Sequence, residues 1–146
     1  MYIVYEGPDQ SGKTTTRKKI EKIRNGKDVG IDRFIGSNLV YGTLLNRYSI
    51  EEIKDLKMND IIFAKIYNPI LIYFTTPINI LLERMDRDNH EVINKKFLSD
   101  TIDEFNKYYN ECPYQCKIKI DTNQYNQEKV IDILTNFIKN EEHKRI

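Results

Sequence analysis

Near the N-terminus, Gly7-Pro8-Asp9-Gln10-Ser11-Gly12-Lys13-Thr14 fits the pattern G-x-x-x-x-G-K-[ST] without a gap. That spacing suits the gripping of phosphates. Glycines at the two fixed positions let the backbone turn, so that successive N–H groups converge on anionic oxygens. A helix opening near Lys13 adds the positive end of its dipole beneath them. Lys13 is then expected to bridge β- and γ-phosphate oxygens, and the Thr14 hydroxyl to ligate Mg²⁺. The expected triphosphate-binding set is Gly7, Gln10, Ser11, Gly12, Lys13, Thr14 and Thr15, with Mg²⁺ and ATP as the phosphoryl donor. Two further charged groups suit the same chemistry. Asp32-Arg33 closes a short strand-like run, and ligands lie at strand ends in open parallel sheets. Arg84 and Arg87, at i, i+3 spacing, share a helical face. Phosphoryl transfer leaves the protein little covalent work, so cations placed over the moving group carry much of the rate.

These groups need a frame, and the apolar pattern supplies one. Tyr2-Ile3-Val4-Tyr5 runs directly into the Gly-rich turn, and a helix is expected over 13–24, closed by Asn25-Gly26. Val29-Gly30-Ile31 reads as a short strand despite its internal glycine. A helix follows over 36–47 with Leu39, Val40, Leu44 and Leu45. Ser49-Ile50-Glu51-Glu52 is a capping box opening a helix that carries Ile53, Leu56, Ile61, Ile62 and Ile66 until Pro69 forbids continuation. Ile70-Leu71-Ile72-Tyr73-Phe74 is apolar on both alternating faces, as in a strand covered on both sides. Thr76-Pro77 starts another helix. The charged stretch 84–90 breaks the apolar pattern, which resumes as a helix over 91–111 with Val92, Phe97, Leu98, Ile102, Phe105 and Tyr109 inward. Lys117-Ile118-Lys119-Ile120-Asp121 alternates as a last strand, and Asn126 caps an amphipathic helix with Val130, Ile131, Leu134, Phe137 and Ile138 on one stripe. Alternating strand and helix predicts one α/β domain over residues 1–146. It is a three-layer parallel sheet of about four strands, near 2–6, 28–32, 70–75 and 117–121, with helices on both faces.

Composition narrows the partners. Lys plus Arg is 23 against 22 acidic residues, so the net charge of +1 gives no general pull toward nucleic acid or membrane. No apolar run approaches the ~18 residues of a membrane helix. The first residues are strand-like, so no signal peptide is expected. Cys112 and Cys116 form C-x3-C without neighbouring histidines, a poor zinc half-site. They read as reduced thiols, which points to a cytoplasmic protein.

The longer string Glu6-Gly7-Pro8-Asp9-Gln10-Ser11-Gly12-Lys13-Thr14-Thr15 resembles the thymidylate kinase family, with deoxynucleoside kinases as neighbours. Asp32-Arg33-Phe34-Ile35-Gly36-Ser37-Asn38-Leu39-Val40-Tyr41 is similar to that family's D-R-[YF]-x-x-S-N-x-x-Y segment. Asn68-Pro69-Ile70-Leu71-Ile72-Tyr73-Phe74-Thr75-Thr76-Pro77 is similar to its P-D-L-x-I-Y-L-D-x-P-P-E strand and turn. The resemblance implies a P-loop nucleotide-kinase fold. By it, Asp9 contacts the acceptor sugar or the catalytic machinery, Arg33 holds the acceptor phosphate, and Phe34, Asn38 and Tyr41 line the acceptor, with Asn38 facing the base and Tyr41 beneath the deoxyribose. It places Asp32 beside the metal, Arg84 and Arg87 in the lid, and the Asp121-Thr122-Asn123 turn against the adenine. It also implies a homodimer through helices beside the sheet.

Two departures matter. The family carries a further strand and helices before its Asp-Arg motif, with base-stacking and base-reading residues, whereas here Gly26 to Asp32 is seven residues. Gln10 stands where the family usually has glycine. Thymine specificity therefore does not carry over. Two acceptors fit the motifs: a nucleoside monophosphate, whose ionised oxygen needs no general base, and a nucleoside 5′-hydroxyl, for which Asp32 would serve as base. The monophosphate suits Asp-Arg-Phe with Ser37-Asn38 and Tyr41 better. A nucleotide-binding regulator without turnover is the reading from another class, opposed by Lys13, Arg33, Arg84 and Arg87.

Overall fold

The structure is a computed structural model and describes residues 1–88 and 94–146. Four parallel strands, β1 (Tyr2–Glu6), β2 (Val29–Asp32), β3 (Ile70–Thr75) and β4 (Cys116–Asp121), lie in the order β2-β1-β3-β4. The register sets Ile3 beside Gly30 and Ile70, and Ile70 beside Cys116. Strand residues alternate between two cores. Ile3, Tyr5, Ile70, Ile72 and Phe74 face α1 (Lys13–Ile23) and α6 (Gln127–Lys144), where Ile20, Val130, Ile131, Leu134 and Ile138 are buried. Val4, Leu71 and Tyr73 face the other way, onto α2 (Ile35–Leu44) and α5 (Lys95–Glu111), through Leu39, Val40, Phe105 and Tyr108. The expected three layers are present. A small third cluster, Leu81, Met85 and Leu98, joins α4 (Ile78–Arg87) to α5.

The chain crosses from β1 to β2 on one side and returns from β2 past β1 to β3 on the other, so the topological switch point lies between the carboxyl ends of β1 and β3. The glycine-rich turn sits there. Gly7 has φ of +143°, and a Cβ on it would stand 2.5 Å from the Phe74 carbonyl oxygen, so only glycine passes.

Three details differ from the expectations. Helix continues through 84–87 because Met85 turns inward and keeps α4 amphipathic to its last turn. The helix expected from 91 is described only from Lys95, so Val92 lies outside the described residues. On α5 Tyr108 is buried along with Phe105, whereas Tyr109 is only half-buried. The capping box holds: Ser49 Oγ accepts from Glu52 N–H at 3.2 Å, and the Glu52 carboxylate accepts from Ser49 N–H at 2.7 Å. It starts α3 (Ile50–Tyr67), whose packing is unusual. The one fully buried residue of that helix is Asp60, which accepts from Tyr108 Oη at 2.9 Å and Tyr114 Oη at 2.7 Å. Ile53 and Leu56 face the core, whereas Met58, Ile61, Ile62 and Ile66 face solvent, Ile66 being 65% exposed.

Candidate active site

The site grows from the end of β1. Past Glu6 the chain turns through Gly7–Gly12 and enters α1 at Lys13, so the first-turn N–H groups of α1 open toward a cleft of about 530 Å³. Asp9, Gln10, Ser11, Gly12, Lys13, Thr14, Thr15, Arg33 and Arg84 all line it. Lys13 is 5% exposed, and its ammonium donates to the Gly7 and Pro8 carbonyls at 2.9 and 3.2 Å. Burial pushes its pKa down, opposed chiefly by Asp9. A charge so held is weakly hydrated and ready to trade loop carbonyls for phosphate oxygens. Gln10 adopts φ of +64°, the left-handed backbone that glycine would take at no cost.

The loop is clamped from behind. Arg84 donates to the Gln10 carbonyl at 2.9 Å. Thr122, after β4, donates to the Ser11 carbonyl at 2.9 Å, and its hydroxyl pairs with that of Thr76 at 2.8 Å. Arg84 and Arg87 thus part company: Arg84 reaches the loop, while Arg87 is 73% exposed and its ion pair is with Asp88 at 3.9 Å.

Thr14 Oγ1 donates to Asp32 Oδ2 at 2.7 Å, bringing the loop hydroxyl and the end of β2 together. Asp32 Oδ1 is buried without a hydrogen-bond partner among the described residues, and Arg17 Nε stands 3.8 Å from Oδ2. A hydroxyl and a carboxylate with a spare lone-pair face form the oxygen donor set that Mg²⁺ prefers, so these residues fit the ion.

Arg33 has φ of +57° and pairs with Asp9 of the loop while remaining 58% exposed. Asn38 is exposed on α2, Phe34 half-buried against Phe63, and Tyr41 edge-on to Phe105. Burial, reinforced by Asp9, pushes the Tyr41 hydroxyl to about 12, so it is a neutral donor at physiological pH. The structure therefore gathers Asp9, Asp32, Arg33, Lys13, Thr14 and Arg84 at the carboxyl end of the sheet and leaves Arg87 outside.

Three contributors went unassigned in the sequence. Glu6, 1% exposed, accepts from the Phe34 and Ser37 backbone N–H groups at 2.9 and 3.0 Å and from the Ser37 hydroxyl. An acid ending an otherwise apolar strand was its only signal. Arg17 and the clamping role of Thr122 depend on side-chain reach across elements, which spacing does not record.

Comparison with known proteins agrees with this geometry. The sequence matches no protein-family profile. Over 74 residues, 51% of the chain, it is 34% identical to a thymidylate kinase of Fervidobacterium nodosum, a match spanning 36% of that protein's length. The fold superposes on YorR of Bacillus subtilis, solved in complex with phosphorylated GDP, with a TM-score of 0.83, 21% identity and 98% of each chain covered. It also superposes on the deoxyadenosine kinase of M. mycoides with bound dCMP and dCDP, with a TM-score of 0.67 and 12% identity, covering 96% of this chain and all of that one. The trimmed sheet is thus an architecture shared end to end with a solved protein. The chain thus has the fold of nucleotide-kinase structures throughout and resembles a thymidylate kinase in sequence over half its length.

Proposed function

We propose that the protein transfers the γ-phosphoryl group of ATP to a (deoxy)nucleoside monophosphate. The observation that carries this reading is the pairing of Arg33 with Asp9. It sets a solvent-facing cation, the natural holder of an acceptor phosphate, directly against the loop that would hold the donor. The loop N–H groups and Lys13 would bind the β- and γ-phosphates, and Arg84, already on the loop, would add positive charge as the bridging bond breaks. An acceptor phosphate oxygen attacks the γ-phosphorus, the bond to the β-phosphate oxygen cleaves, and ADP and a nucleoside diphosphate leave. Thr14 and Asp32 would hold Mg²⁺, which when bound would neutralise charge on the donor phosphates.

Asp32 is what favours a monophosphate over a nucleoside hydroxyl. Its carboxylate faces Thr14 and Arg17 on the donor side, and Asp9 is engaged by Arg33. An ionised phosphate oxygen needs neither as a base; a 5′-hydroxyl needs one within about 3 Å. Thymidylate kinase similarity supports a nucleotide acceptor of this class, whereas the deoxyadenosine kinase neighbour, with dCMP as a product, is the one that stands for a nucleoside acceptor. No helix among the described residues is long and apolar enough to cross a membrane.

The assay is direct: Mg²⁺–ATP with a panel of nucleoside and deoxynucleoside monophosphates, following ADP and diphosphate products. Diphosphate formation supports the proposal. Turnover of nucleosides alone would place Asp32 as a base, and nucleotide binding without any turnover would make the protein a regulator.

We also propose that α3 is the surface through which two copies pair. Met58, Ile61, Ile62 and Ile66 expose on the order of 400 Å² of apolar area, the size of a functional patch on a monomer. Asp55 and Lys65 flank them without an ion pair among the described residues. Two α3 helices crossing antiparallel about residue 60 would set each Asp55 against the other Lys65, with Met58 on Ile62. That complementarity fits a second copy of the chain.

A further inference from the structure

We infer that Glu6 is a positioning residue that fixes Arg33 for the acceptor phosphate and ties its placement to the phosphate loop. This rests on the acceptor role given to Arg33 above.

A left-handed backbone is costly for any residue but glycine, so Arg33 keeps its conformation only if both flanks are held. Consecutive residues of β1 hold them. On one side Arg33 N–H donates to the Tyr5 carbonyl at 3.3 Å. On the other, the Glu6 carboxylate takes the Phe34 and Ser37 N–H groups on Oε1 and the Ser37 hydroxyl on Oε2. Phe34 is the N-cap of α2, and its side chain makes no capping bond. Glu6 therefore caps that helix from a neighbouring strand, thirty-one residues before Ser37, with its carboxyl oxygens at the dipole's positive end. The space is closed around it. A Cβ on Gly36 would stand 2.9 Å from Glu6 Oε1 and 2.4 Å from the Tyr108 ring, so the turn packs against the carboxylate with no room for a side chain.

Glu6 is also the residue before Gly7. The backbone that turns to grip a donor phosphate is one peptide bond from the residue whose side chain holds the turn after Arg33. With three donors already on its two oxygens and almost no exposure, the carboxylate is not placed to take a proton from an acceptor. Its contribution is the location of Arg33.

Glu6→Gln and Ser37→Ala test this by steady-state kinetics and amide hydrogen exchange. Glu6→Gln keeps the shape but cannot accept all three bonds. It should raise the monophosphate KM by about tenfold or more, leave the Mg²⁺–ATP KM within about twofold and kcat within about threefold, and speed exchange at Phe34 and Ser37 by about a hundredfold. Ser37→Ala, which loses one bond and keeps the two backbone ones, should give the same pattern at about threefold. Three outcomes overturn the proposal: unchanged exchange at those amides, KM values for both substrates rising together, or a kcat loss of about a hundredfold at constant acceptor KM with the acid limb of the pH–rate profile gone. The last would make Glu6 a base. If the wild-type protein turns over no monophosphate, the acceptor reading fails separately. Exchange at Phe34 and Ser37 then decides the positioning claim alone, in support if it accelerates and against if it does not.

Discussion

Lys13 is a cation that the fold has partly dehydrated before any ligand arrives, held against two loop carbonyls in a nearly buried position. If it stabilises transferred charge, Lys13→Ala should lower kcat by about 10²–10³, the scale seen when one preorganised donor is removed. An unchanged turnover number would take Lys13 out of the mechanism. Arg33 makes a contrasting case, since it is exposed and pairs with Asp9 of the loop. Arg33→Ala should weaken monophosphate binding at least tenfold, with Mg²⁺–ATP affinity within about twofold, as read by titration calorimetry. Equal weakening of both would put the acceptor elsewhere. At this scale much of the site was legible, because the loop motif ties residue type to backbone geometry within a few positions. Glu6 was not, since its role comes from reaching the Phe34–Ser37 turn across β1. The divergence of Arg84 from Arg87 was equally hidden: i, i+3 spacing puts both on one face without saying how far that face turns toward the loop.

Among the elements, α3 shows where pattern and packing part. Its capping box and its end before Pro69 were readable, because both are local chemistry. Which of its apolar residues would be inward was not, because the helix packs through Asp60, Ile53 and Leu56 while its isoleucines at 61, 62 and 66 stay outside. The strands were easier, since β3 is apolar on both faces and a strand between two helical layers must be. Asp60 also gives α3 a pH signature. Burial pushes its carboxyl above the usual range, opposed by the Tyr114 and Tyr108 hydroxyls. A raised carboxyl pKa means that the folded state holds the proton more tightly than the unfolded chain, whose aspartates titrate near 3.9. The stabilisation is then complete below that value and is lost as pH rises through the folded pKa. Chemical denaturation of wild type and Asp60→Asn from about pH 4 to 7 should show the stability difference moving against wild type as pH rises. A difference independent of pH would mean that Asp60 titrates alike in both states.

For the whole molecule, a short chain forms the switch-point crevice of a parallel sheet with only seven residues from Gly26 to Asp32 ahead of the Asp-Arg motif. The α3 pairing belongs to this scale. Ile62→Glu should convert a dimer to a monomer in sedimentation equilibrium, and a wild-type protein that is monomeric at 100-fold dilution and at high concentration alike would remove that surface from consideration. Beneath both proposals lies the claim that the turn after β1, with Lys13, binds a triphosphate. Isothermal titration of the protein with magnesium and a non-hydrolysable ATP analogue tests it most directly. Saturable one-site binding well below millimolar, weakened at least tenfold by Lys13→Ala, is the expected result. Heats that stay linear to millimolar nucleotide would contradict the account.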